Sequence, residues 1–173
     1  MIAAIIALAA LTVLLAASLV VRSGVHLRRR RPGERRILVP FTGRTLDPTV
    51  LDAAIRIARA EGATLVPAYI LVVPLRYPEE SPLHEEVGVA MPILEAVERA
   101  AVRAGVPVDA RIEKGRSLNH AMRLLWGVER FDRIIAPAAG NGHAGFGVDD
   151  LAWLLTNSPA ETLVLKPYEP VAA

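Results

Sequence analysis

The chain has 173 residues, 53% of them hydrophobic, with no cysteine and four histidines. That length allows one core of about 130 residues, and the missing cysteines exclude disulfides, thiol catalysis and Cys-based metal sites. No two histidines stand at a ligand-pairing distance along a helix or strand, so no metal is expected. The net charge of +2 hides an asymmetry, because seven of the 20 basic residues lie between Arg22 and Arg36, whereas residues 37 to 173 carry 13 basic and 17 acidic residues, a net of −4. A mildly acidic folded part argues against nucleic acid as its partner.

Residues 1–21 hold only Thr12 and Ser18 as polar side chains. As a helix they reach about 30 Å, the thickness of a bilayer core, so a single transmembrane helix is expected. A cleaved signal peptide is the competing reading, since Leu15-Ala16-Ala17-Ser18 offers small residues. It lacks a basic segment in front, and the arginines that follow oppose translocation. Those arginines place the N-terminus outside and the remainder in the cytoplasm, giving a single-pass protein of the inner (plasma) membrane. Residues 22–35 form a basic linker broken by Pro32-Gly33, in which Arg28, Arg29, Arg30 and Arg31 lie on the lipid surface. Residues 1–31 are thus the part expected to meet membrane lipid.

The soluble part opens with an apolar run, Ile37 to Phe41, ended by Thr42-Gly43. Asp47-Pro48 supplies a cap and a first-turn proline for the helix that Gly62 closes. A second strand follows from Thr64 to Val73, with Pro67 at its start or at an irregularity. After a Pro- and Glu-rich loop, Leu83 to Ala104 has helical periodicity, and Pro92 should kink or divide it. Val108 to Glu113 alternates as an exposed edge strand, and Ser117 caps the helix bearing Leu118, Met122, Leu125 and Trp126. A short apolar run, Phe131 to Pro137, leads into a loop with Gly140, Gly142, Gly145 and Gly147, then a helix from Val148 to Leu155 and a last strand, Glu161 to Leu165. The order βαβαβαβαβ predicts an α/β fold, a five-stranded parallel sheet with helices on both faces.

In such a sheet the glycine loop faces a ligand. The competing reading is a surface loop whose backbone conformations only glycine tolerates. Asp149 and Asp150 read as helix caps, Glu85 and Glu86 as a solvated helix face, and Trp126 and Trp153 as core or interface fillers. No paired carboxylate, base with nucleophile, or Lys-containing phosphate loop is present, so no catalytic residue is assigned and no enzyme is expected. The last strand, Thr162, Leu163, Val164 and Leu165, is apolar and invites pairing with a second copy.

Residues 36–167 resemble the universal stress protein domain. The resemblance is carried by Ile37-Leu38-Val39-Pro40, Gly62-Ala63-Thr64-Leu65, Gly115 with Ser117-Leu118, Asp132-Arg133-Ile134-Ile135 and Ser158-Pro159-Ala160-Glu161-Thr162-Leu163-Val164. It implies a doubly wound sheet of order 3-2-1-4-5, a ligand cleft at the C-terminal ends of the first and fourth strands, and a homodimer. In ATP-binding members an aspartate ends the first strand and a Gly-x2-Gly-x9-Gly-Ser/Thr loop follows the fourth. Here Thr42 stands at the aspartate, Pro137 at the first glycine and Gly140 at the second, the loop is about two residues short, and Asp149 adds negative charge at the helix start. Thr42, Gly140, Gly142, Gly145 and Gly147 are therefore the candidate nucleotide-binding residues, with Mg-ATP expected to bind weakly or not at all. The functional expectation is a membrane-anchored regulatory or interaction module beside a membrane-protein partner. An ATP- or adenine-nucleotide-binding stress sensor is the alternative, and an adenylyl-transferring enzyme of the same sheet topology the third reading. Residues 168–173 read as a tail.

Overall fold

The computed structural model describes residues 34–79, 81–140 and 144–166. The apolar span 1–21, the arginines 28–31, Gly142 and the tail lie outside these residues. Among the described residues no helix is long and apolar enough to cross a membrane.

Nine elements alternate in the expected way: β1 (Arg36–Phe41), α1 (Pro48–Glu61), β2 (Thr64–Val72), α2 (His84–Arg103), β3 (Arg111–Gly115), α3 (Leu118–Val128), β4 (Arg133–Pro137), α4 (Val148–Asn157) and β5 (Glu161–Leu165). The sheet has the order β3-β2-β1-β4-β5 with every pairing parallel. Parallel crossovers cover both faces, so the central strands read as unbroken apolar runs. All six residues of β1 are buried. Ile37, Val39, Leu65, Tyr69 and Ile135 face α1 and α2, while Leu38, Val66, Ile70, Ile134 and Ala136 face α3 and α4. Each fully buried Val, Leu or Ile contributes about 1.5–3 kcal/mol before the entropy of ordering is counted, so this two-faced core carries the fold.

Local signals set the helix ends. Asp47 Oδ1 accepts from the backbone N–H of Thr49 at 2.8 Å and of Val50 at 3.3 Å, with Pro48 in the first turn. Gly62 ends α1 at φ +60°, a left-handed conformation that disfavours other residues. Ser117 Oγ accepts from His120 N–H at 3.1 Å and starts α3. Gly115 sits so close to α3 that a Cβ there would lie 2.6 Å from Ala121 N; glycine thus sets the approach of that helix to β3.

Three expectations need correction. Of the two outcomes expected at Pro92, a kink or a division, division does not occur: α2 runs unbroken from His84 to Arg103. The Pro92 ring lies on the exposed side, where the carbonyl it leaves free reaches water. The edge strand begins at Arg111 and not at Val108, which makes only an isolated bridge to Leu65. That gap explains Pro67. Leu65 N–H donates toward β3, to Pro107 O at 2.8 Å, and strand alternation points the Pro67 nitrogen the same way. The missing donor falls between the Leu65–Val108 bridge and the ladder that starts at Ala68–Arg111. Finally, Asp149 and Asp150 do not cap α4: the capping position is Gly147, no side chain bonds there, and both aspartates lie in the first turn.

Candidate functional site

The chain reverses its winding direction between β1 and β4, where open α/β sheets form a ligand crevice. Two prolines define that opening. Asp132 N–H donates to Arg36 O at 2.9 Å, so Arg36, Leu38 and, by alternation, Pro40 direct their backbone toward β4. On the other side Ala138 N–H donates to Leu165 O at 2.8 Å, which turns Pro137 toward β1. Neither proline has an N–H to give, and the register between these strands consists of Ile37 with Arg133 and Leu38 with Ile134. The strands therefore part at their C-terminal ends.

Thr42 is half-buried immediately after β1, and Gly140 follows β4. The returning loop lies against the end of β4. Phe146 N–H donates to Pro137 O at 2.8 Å and Ala139 N–H to Phe146 O at 2.9 Å, a one-residue parallel bridge between Ala138 and Phe146. By the same alternation it occupies the β1-facing side of β4. The Phe146 side chain, 2% exposed, is part of the core under α3 and α4. Gly145 is required by closeness: a Cβ there would meet Ala138 C and Ala139 N at 2.5 Å. Neither Gly145 nor Gly147 has positive φ, so the conformational reason anticipated for these two glycines does not apply. A Cβ at Gly147 would find nothing within 4 Å, so this glycine is replaceable on steric grounds.

The electrostatics of this end are mixed. Asp149 and Asp150 place carboxylates at the positive end of the α4 dipole, which they satisfy in place of an external anion. Arg44, exposed in the loop after β1, is a cation that no motif or periodicity singles out. Burial pushes the Tyr69 phenol above its ordinary pKa, Glu86 adds to that shift, and Arg44 opposes it. A shallow hollow lined by Glu95, Glu98, Arg99, Val102 and Arg103 lies on α2 and not at the strand ends; it brings together no residue of the crevice. Trp126 and Trp153 stack in parallel between α3 and α4, 5.5 Å between centroids, which fits their reading as fillers.

The opposite end of the sheet holds a constellation that sequence reasoning missed. Arg36, the last of the seven clustered basic residues, is 1% exposed. Its Nη2 pairs with Asp109 Oδ2 at 2.5 Å, and its Nε lies against Glu129 Oε1 without a hydrogen-bonding angle. Arg111 meets the same two carboxylates, at 2.5 Å and 2.8 Å. The result is a closed ring, Arg36–Asp109–Arg111–Glu129, with Arg36 N–H also donating to Asp132 Oδ2 at 2.8 Å. Burial alone would raise the Asp109 pKa, but hydrogen bonds and charge from Arg36 and Arg111 hold it below the usual carboxylate range. Burial raises Glu113, and Glu129 adds to this against the pull of Arg111. Arg133 joins Glu61 and Glu161 in a second network.

No protein-family model matches the chain, and no curated protein is matched by its sequence. Solved structures are matched. The universal stress protein UspA from Lactobacillus plantarum aligns with a TM-score of 0.61 at 17% identity, over 76% of this chain and 97% of that one. A universal stress protein family member from Burkholderia pseudomallei gives 0.56 at 19%, over 75% and 94%. A universal stress protein family protein from Arabidopsis thaliana with AMP bound gives 0.52 at 13%, over 78% and 92%. Strand order, crossover pattern and these alignments agree that the described domain has the fold of the universal stress proteins.

Proposed function

We propose that the protein is a membrane-anchored module with a universal-stress-protein-like cytoplasmic domain, acting by regulation or protein interaction and not by turnover of Mg-ATP. The observation that carries this reading is the loop after β4. Two of its backbone N–H groups, on Ala139 and Phe146, are committed to hydrogen bonds within the loop and strand end, and Pro137 has none. Asp149 and Asp150 stand where phosphate would profit from the helix dipole. Two like unit charges about 5 Å apart repel by roughly 3 kcal/mol at an effective dielectric near 20, and about 1.4 kcal/mol is tenfold in affinity. Isothermal titration of the purified chain should show weak or no Mg-ATP binding, and Asp149→Ser should tighten it. Tight binding by the unmodified chain, or stoichiometric nucleotide released on denaturation, overturns the reading.

The alternative, an adenine-nucleotide-binding stress sensor, draws support from the AMP held by the Arabidopsis protein of the same fold and from the crevice between Thr42 and Gly140. Released nucleotide separates the two readings directly. The anchor rests on the sequence of residues 1–31: a reporter fused after Ala173 should behave as cytoplasmic, and activity outside the cytoplasm counts against it. Homodimerisation is proposed through the β5 edge, where Val164 is exposed and Leu163 and Leu165 are half-buried. Leu163→Pro should lower the mass seen in sedimentation; an unchanged dimer that stays folded points to another surface.

A further inference from the structure

We infer that the end of the domain where the strands begin is a docking face for an anionic lipid surface. Parallel crossovers bring the C-termini of all the helices to this one end. Arg59 lies in the last turn of α1, Arg103 is the last residue of α2, and Arg130 stands two residues past α3. All three are exposed, and among the described residues none makes an ion pair. Of the carboxylates at this end, Asp109 and Glu129 are engaged by Arg36 and Arg111, and Glu61 and Glu161 by Arg133, while Glu98 lines a shallow hollow with Val102 and Arg103.

Arginine near a helix C-terminus complements the dipole, which accounts for charge but not for what accompanies it. Val102 is 66% and Val128 83% exposed at this same end. Apolar side chains among unpaired arginines are what an interfacial surface needs, since lipid binding sums buried apolar area and attraction to anionic headgroups. The other end of the domain carries Glu85, Glu86, Asp149 and Asp150 in first helical turns beside the cations Arg44, Arg76 and Arg116, so the carboxylates at its helix starts disfavour an anionic bilayer there. The described chain also starts at this end, at Glu34 before β1, directly downstream of Arg28 to Arg31 and the apolar residues 1–21. The inference rests on the membrane-anchored reading for delivery of the domain to a bilayer, and it predicts that the crevice points away from the lipid.

The test uses the full chain, whose lack of cysteine allows single labels. Val102→Cys, Val128→Cys and, as a control at the crevice end, Leu75→Cys, which replaces a residue 89% exposed, each carry an environment-sensitive dye. The variants are reconstituted into phosphatidylcholine vesicles with or without phosphatidylglycerol, all containing nitroxide-labelled lipid. Quenching is expected at positions 102 and 128 but not 75, and only with phosphatidylglycerol. The Arg59→Gln/Arg103→Gln/Arg130→Gln variant should bring positions 102 and 128 to the level of position 75, since each arginine is worth about fivefold in surface affinity. Equal quenching at all three positions, none at 102 and 128, or no loss in the neutral variant overturns the docking face. So does a response at 102 and 128 to duplex nucleic acid that exceeds the response to anionic lipid. Alkaline carbonate extraction reports separately on the anchor: a chain that stays in the membrane while 102 and 128 remain unquenched is anchored but not docked, whereas a chain that is extracted yet quenched on added anionic vesicles docks without an anchor.

Discussion

The two ends of the sheet solve opposite problems. Where the strands begin, the buried charges close on one another: Arg36 is buried against Asp109, Glu129 and the Asp132 carboxylate, while Arg59, Arg103 and Arg130 stay exposed around them. Where the strands end, Pro40 and Pro137 withhold hydrogen bonds, the ladder stops, and a loop is folded back against the opening. The first end is over-determined by many partners per residue. The second depends on a few close approaches, so a substitution there should alter the site while leaving the fold standing.

The largest contrast is expected from Arg36→Ala set against Thr42→Ala. Removing the guanidinium leaves Asp109 and Glu129 to share Arg111 and empties a buried site, which costs up to about 3–5 kcal/mol. Thr42 is half-buried at the mouth of the crevice, and its loss should cost under about 1 kcal/mol. Urea unfolding decides; equal midpoints for the two variants would remove the distinction between the ends.

Within the crevice end, Gly145→Ala should cost about 1–3 kcal/mol, because the new methyl meets rigid backbone at 2.5 Å. Gly147→Ala, with open space around it, should stay within about 0.5 kcal/mol. Amide exchange at Phe146 should rise in the first variant only; protected exchange there would mean that the loop tolerates the methyl.

The smallest effect is a pH dependence confined to the charged end. The folded pKa of Asp109 is depressed, so its stabilisation is present above its unfolded value near 4 and is lost as pH falls through the folded value. Unfolding midpoints should therefore hold from about pH 7 to 5 and drop below about pH 4, and Asp109→Asn should flatten that limb while lowering the midpoint at neutral pH. Glu113 has the opposite sign. Its raised pKa means that its ionised form costs stability at neutral pH, so Glu113→Gln should raise the midpoint at about pH 7 and leave it unchanged at about pH 4. A fall at neutral pH would show that its contact with Arg111 outweighs burial.

Features whose cause is local were legible in the sequence. Asp47-Pro48, Gly62 and Ser117 act within one helical turn, and the apolar runs of β1 and β4 announce a sheet buried on both faces. Features whose cause lies far along the chain were not. Arg36 sits in an arginine-rich stretch and looks like its neighbours; only Asp109 and Glu129, 73 and 93 residues away, distinguish it. Phe146 reads as a loop residue until the chain folds back on Pro137, and Gly145 owes its identity to the Ala138–Ala139 backbone. Pro40 and Pro137 were visible as interruptions, but their shared effect depends on which neighbour each nitrogen faces.

The ring of Arg36, Asp109, Arg111 and Glu129 also constrains how the chain reaches its native state. Its members come from the first strand, the turn into the edge strand, the edge strand itself and the link before β4, and a contact spanning 73 or 93 residues carries a loop-closure cost that local contacts do not. A partly assembled sheet leaves Arg36 beside incomplete counter-charges, so the ring rewards only the finished strand order. Interactions that form after the transition state slow unfolding more than they speed folding. Arg36→Ala is therefore expected to raise the unfolding rate more than it lowers the folding rate, and an equal effect on both would show that the ring is already formed in the transition state.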